Sequence, residues 1–227
     1  GMFPAAALGW RISEEPFFQD SEALSFVNNL KIRVSTGVIG NDRVNAFQFV
    51  DAYGITAGSG PIIGGQALPY VSYGVFPNPE ITWEKQTNNN LGVDATLFES
   101  KLGFEFDYFF RTTKDILWSR ERSVPGTFGR ILPNENYAEV ESRGYELSVT
   151  HQNSIKEVNY NLRFVTSFAR NTVTQIDDPA NALDFQKQLG RPVGFRVGYD
   201  ALGLFQSQEQ ADGWMGGIQF GQEPMAG

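Results

Sequence analysis

The chain has 227 residues, 18 basic and 26 acidic side chains, a single histidine and no cysteine. A net charge of −8 argues against nucleic acid as a partner, because phosphates demand a basic face. The histidine and cysteine counts exclude a His/Cys metal site, a thiol nucleophile and a disulfide framework. The opening segment has no basic region ahead of its apolar residues, so no signal peptide is read there, and no apolar run approaches the length of a membrane helix. Such a scan is blind to membrane β-barrels, whose strands alternate apolar and polar residues.

In chain order, Ala6, Leu8, Trp10 and Ile12 form a weak apolar face, and Asp20 to Asn28 is expected to be a short helix capped by Asp20 or Ser21. Leu30, Ile32, Val34 and Val38 then alternate with Lys31, Arg33, Ser35 and Gly37. A long connection rich in Gly, Pro, Asn and aromatics runs from about Ile39 to Gln86. Within it, Gly58 to Gly65 resembles a phosphate loop but lacks the Lys-Ser/Thr ending, so it reads as a flexible loop.

Leu91, Val93, Ala95 and Leu97 lead through Glu99–Lys101 into Leu102, Phe104, Phe106, Tyr108 and Phe110, which alternate with Gly103, Glu105, Asp107 and Arg111. This spacing predicts an antiparallel hairpin of long strands. After a second long connection, 113 to 138, Tyr145, Leu147 and Val149 alternate, a polar turn follows at Gln152–Lys156, and Val158, Tyr160, Leu162, Phe164 and Phe168 continue the pattern. From Asn171 onward a third long segment is expected, with a helix from Pro179 to Leu189 capped by Asp178. Six strands of roughly ten residues emerge in an all-β, antiparallel up-and-down sheet. Alternation alone fits a soluble β-rich ligand-binding module as well as a membrane barrel, since the two differ only in which face meets water.

The carboxylate pairs Glu105/Asp107 and Glu139/Glu141 each share a strand face, as a glycosidase would require, but charged lumen residues explain both, and no catalytic residue is assigned. His151, beside a turn, reads as a solvated side chain with no triad partner. Trp83, Trp118, Tyr108 and Tyr145 lie near expected strand ends, where an aromatic girdle would sit.

Several blocks carry a family resemblance: Asn78 to Glu84 (Asn-Pro-Glu-Ile-Thr-Trp-Glu), Asn89 to Asp94, Phe106 to Leu117 with its Thr-x-Asp-x-Leu ending, Leu8 to Glu15, Leu30 to Gly37 with Gly40-Asn41, Arg143 to Leu147, and Gly203 to Glu209. Taken in chain order they resemble the C-terminal half of SusC/RagA-type TonB-dependent outer-membrane transporters. One departure is Tyr137 and Glu141-Ser142, where that family usually carries a glycine and an asparagine.

The resemblance implies a fragment, residues 1–227, of a transmembrane barrel of about 22 strands, with plug, signal peptide and terminal strands outside it. It implies the outer membrane of a Gram-negative, Bacteroidetes-like bacterium, and import of oligosaccharides or peptides through TonB with a SusD-like surface lipoprotein. No cofactor, metal or enzymatic activity is implied. The long connections, including 171–227, would be extracellular, and the short turns periplasmic. Leu102, Phe104, Phe106, Tyr108 and Phe110 would face lipid. Phe205, Gln206, Gln208 and Trp214, an aromatic and amide mixture, are the candidate substrate- or partner-binding residues.

Overall fold

The computed structural model describes residues 2–120, 125–199 and 203–213. Two compact units are present, Gly1–Phe195 and Arg196–Gly227. The first is dominated by one antiparallel sheet built from β1 (Ala5–Arg11), β2 (Val27–Asn41), β7 (Glu84–Leu97), β8 (Leu102–Ser119), β9 (Asn134–Ile155) and β10 (Val158–Gln175), in that spatial order. Four further short strands fill the connection from β2 to β7: β3 (Tyr53–Thr56), β4 (Ile62–Ile63), β5 (Gln66–Ala67) and β6 (Tyr70–Tyr73). The main sheet does not close, and β1 and β10 are its two edges.

The period-two pattern has the expected consequence. Register places Leu8, Val34, Leu91, Tyr108, Tyr145 and Phe168 in one row across all six strands. The next row is Trp10, Ile32, Val93, Phe106, Leu147 and Thr166, and below it stand Leu30, Ala95, Phe104, Val149 and Phe164. Leu97, Leu102, His151 and Leu162 form the lowest continuous row. Among the described residues of the first unit, no second layer covers this face. Leu8, Leu162 and Phe164 are 74%, 65% and 61% exposed, whereas the buried apolar side chains among those described number only Phe18, Phe109, Pro133, Ala138, Val173 and Ala211.

The connections divide by length with one exception, the β1–β2 link of residues 12–26, which lies at the end of the tight turns. β7 and β8 are joined by a tight turn in which Phe98, Glu99 and Ser100 all take positive φ, and β9 and β10 meet through Lys156 and Glu157 alone. The second turn is shorter than the polar stretch suggests because the ladder continues to Ile155↔Val158. At the opposite ends of the strands lie the long connections. The one after β2 is an arm: β3 pairs with β6 and β4 with β5, turned by Gly64 and Gly65 at φ 62° and 80°. Gly58 to Gly65 is therefore the tip of an ordered hairpin arm, whose double-positive turn glycine supplies without strain.

Three local expectations are corrected. Asp20–Asn28 is not one helix: α1 (Pro16–Gln19) and a 3₁₀ turn (Glu22–Leu24) precede β2, which claims Val27 for pairing with Leu97. β10 continues past Ala169 to Gln175, so the third long connection starts later than Asn171. Pro179–Leu189 contains turns rather than a helix. There Asp178 does not cap a first turn; one of its carboxylate oxygens accepts the N–H groups of Gln188 and Leu189, both at 2.9 Å. This folds the segment back so that Gly190 N–H donates to the Val173 carbonyl and Val173 N–H to Arg191. Backbone pairing at an otherwise bare strand edge outweighs helix propensity here.

Candidate functional site

The face opposite the apolar rows is polar and ion-paired. Arg33 on β2 holds Asp94 of β7 in a two-pronged bond, Nε to Oδ2 at 2.8 Å and Nη2 to Oδ1 at 2.7 Å. The same guanidinium reaches Asp107 of β8 at 3.1 Å. That second reach crosses over β7, and Gly92 allows it: a Cβ there would collide with the Arg33 guanidinium and the Asp107 carboxylate. Nearby, Arg163 donates to the Ser148 hydroxyl and lies 3.9 Å from Glu105. Phe109, on this polar face, is the best-buried large side chain of β8. Its ring sits over Gly144, and Arg111 stacks on it at 4.5 Å. Glu105 and Asp107 thus lie on the polar face as expected. Glu139 and Glu141 do not: β9 parity puts them on the face of Tyr145, beyond the apolar rows, so they do not share the ion-paired face.

At the long-connection end, the Asn78 to Glu84 block is a clamp. Asn78 donates its amide to the Asn134 carbonyl and accepts from Glu80 N–H. Asn136 accepts from Thr82 N–H and donates to the carbonyls of Thr82 and Asp115. Glu84 accepts from Leu117 N–H and from the Asn41 amide, and Trp83 stacks on Phe3. Asp115 stands in a break of the β8–β9 register at φ 58° and pairs with Lys85 at 3.0 Å. The Thr-x-Asp-x-Leu element is therefore a bulge locked from both neighbours.

A residue not singled out from sequence joins the arm to the β8–β9 connection. Arg130 donates to the carbonyls of Gly74 and Val75 and to Asp51, and its guanidinium lies over Tyr73 and Phe76. Beside it a cavity of about 370 Å³ is lined by Phe47, Val50, Val75, Phe76, Ser119 and Ile131, among others. The lone sequence signal was a pair of glycines between short β-branched and aromatic runs, a hairpin mark.

Of the candidate binding residues, Phe205, Gln206 and Gln208 fall together in the second unit around α2 (Gln208–Asp212). Ser207 caps this helix by accepting Gln210 N–H. The Gln208 amide donates to Asp212, and Gln206 donates its backbone N–H to the Gln210 side chain. Trp214 lies outside the described residues. Leu102, Phe104, Phe106, Tyr108 and Phe110 share one face, with Phe110 in a row with Asn89, Arg143 and Arg170, at the upper limit of the apolar rows. Among the described residues, no group of three or more His, Cys, Asp or Glu side chains is placed to hold a metal ion.

The family described as TonB dependent receptor-like, beta-barrel matches residues 1–224. TonB-dependent receptor P39 of Formosa agariphila is 31% identical over 212 residues, covering 92% of this chain and 19% of the relative. TonB-dependent receptor SusC of Bacteroides thetaiotaomicron is 26% identical over 223 residues, covering 93% of this chain and 22% of the relative. A solved structure of the RagAB peptide transporter matches 83% of this chain and 20% of that chain, with TM-score 0.64 and 21% identity. The chain thus spans about a fifth of the length of these relatives. Six antiparallel strands with unpaired outer edges, one apolar and one ion-paired face, and a match along nearly its whole length make this chain a member of the TonB-dependent receptor β-barrel family.

Proposed function

We propose that this chain is a section of the wall and several external loops of an outer-membrane importer of oligosaccharides or peptides. In this reading import is energised through TonB, and a SusD-like lipoprotein covers the outer mouth. The observation that carries it is the segregation of the sheet's two faces. A soluble sandwich would pack the rows of Leu8, Phe106 and Phe164 against a second layer. Here they are bare, while charges pair on the opposite face, as expected for lipid outside and a wet lumen inside.

The dimensions agree. From Tyr160, whose ring packs on His151 at 5.5 Å, to Arg170 are ten residue steps on β10. That is about 34 Å of strand, or about 26 Å in height at a tilt of about 40°. Aromatic residues edge this band at Tyr160 below and at Tyr108, Tyr145 and Phe168 above. The short turns and the β1–β2 link then lie on the periplasmic rim, and the other long connections outside.

The segment that follows β10, from residue 176 onward, belongs, in this reading, to substrate or lid recognition, with Phe205 offering a ring and Gln206 and Gln208 their amides. In the full-length transporter, Phe205→Ala and Gln208→Ala should reduce growth on the cognate substrate while leaving the amount of surface protein unchanged. Loss of surface protein with normal uptake per inserted molecule would make the segment structural instead.

A further inference from the structure

Basic residues on the apolar-row face of the sheet are of two kinds. Lys85 and Lys114 stand high on the strands and each has a carboxylate, Asp115 at 3.0 Å and Glu139 at 3.2 Å. Arg143 of β9 and Arg170 of β10 are different. They are directly opposite one another in the ladder, both exposed, and neither guanidinium makes a hydrogen bond or ion pair among the described residues. Like charges facing each other across two strands repel. In a chain with a net charge of −8, two unpaired arginines side by side form a local reversal of sign.

Their height gives the pair its meaning. The row below them is Tyr108, Tyr145 and Phe168, the aromatic upper edge of the bare apolar rows. Above them, Thr112, Glu141 and Thr172 form the next row, and Glu141 is the nearest carboxylate on this face, with no ion pair to either arginine. Anything whose apolar portion lies on the rows below must place its polar portion beside the two guanidinium groups.

We propose that Arg143 and Arg170 form a binding site for the phosphate of an anionic lipid headgroup in the outer leaflet. The acyl chains would lie along Tyr145 and Phe168. Two guanidinium forks side by side match the several oxygens of one phosphate, and the bound anion relieves their mutual repulsion. Register brings the pair to the end of the apolar rows nearer the long connections, which selects the outer leaflet. The inference rests on the membrane-facing reading of the apolar rows given above.

The test uses the full-length transporter in non-ionic detergent, titrated with phosphatidic acid or phosphatidylcholine and read by native mass spectrometry. The double substitution Arg143→Gln/Arg170→Gln should weaken phosphatidic acid retention about thirtyfold, and Arg170→Gln alone about fivefold. Phosphatidylcholine retention should stay as in the wild type, and Arg163→Gln on the opposite face should alter neither lipid. Excess inorganic phosphate should not displace the lipid. If the double variant fails to assemble, the single variant carries the same comparison. Unchanged phosphatidic acid retention in the variants overturns the site, as does full displacement by inorganic phosphate, which would indicate a free-anion site. A transporter that enters phosphatidylcholine bilayers yet shows no preference for phosphatidic acid contradicts this site alone. One that enters no bilayer contradicts the membrane-facing reading itself.

Discussion

Two strand glycines set what the polar face can hold. Gly92 leaves open the path by which Arg33 reaches across β7 to Asp107. Gly144 accommodates the Phe109 ring, and a Cβ there would also meet the Phe168 carbonyl and the Ala169 backbone of β10. The obstacles differ in kind. Arg33 and Asp107 are flexible and more than a third exposed, so Gly92→Ala in the full-length transporter should cost only about 0.5–1 kcal/mol. Gly144→Ala must push the paired strands β9 and β10 apart, or shift the ring, and should cost about 1–3 kcal/mol. Urea unfolding in lipid vesicles measures both, and a larger loss for Gly92→Ala would contradict this account of the two glycines. Neither role was legible beforehand. A glycine in a strand marks a close approach, but what approaches depends on a register fixed by distant strands.

Among the elements, the clamp at the long-connection end explains why the Asn78 to Glu84 block and the Thr-x-Asp-x-Leu ending occur together. Asn136 touches both, with two bonds to Thr82 and one to the Asp115 carbonyl. Asn136→Ala should release these groups at a local cost of about 1–3 kcal/mol. Hydrogen exchange should then quicken at Thr82 and around Asp115, while the paired middle of β8 keeps its protection. Uniform loss along β8 would show that the sheet, not the clamp, depends on Asn136.

The strands themselves were legible, because period-two alternation over ten or more residues has few other solutions. Helices were not. Pro179–Leu189 carries an N-cap residue and a first-turn proline, yet Asp178 serves the N–H groups of Gln188 and Leu189 and the segment returns to the edge of β10. Local cap chemistry is indifferent to whether the acceptor's partners lie three or ten residues away. The arm of β3 to β6 was missed because its strands are two to four residues long, too short for periodicity.

For the whole molecule, the decisive property is which face of the sheet meets lipid. Phe106 lies in the middle apolar rows, between Val93 and Leu147. In the full-length transporter, Phe106→Arg should weaken membrane assembly by about 2–4 kcal/mol. Glu105→Arg, one residue away on the polar face, should be tolerated to within about 1 kcal/mol. Equal penalties at the two positions would mean that neither face is distinguished by the bilayer. The candidate substrate residues were less readable than the wall, since aromatic and amide residues in a loop carry no period to fix their direction. Their arrangement around a short capped helix is visible only in the folded chain.

The most direct test is a nitroxide scan along β8 of the full-length transporter in lipid vesicles, one cysteine at a time from residue 104 to residue 109. Collision with oxygen, which concentrates in the bilayer, should be high at 104, 106 and 108. Collision with a water-soluble nickel complex should be high at 105 and 107, and position 109, packed over Gly144, should be shielded from both. An alternation of opposite phase, or no alternation at all, would contradict the assignment of the apolar rows to lipid and with it the proposed function.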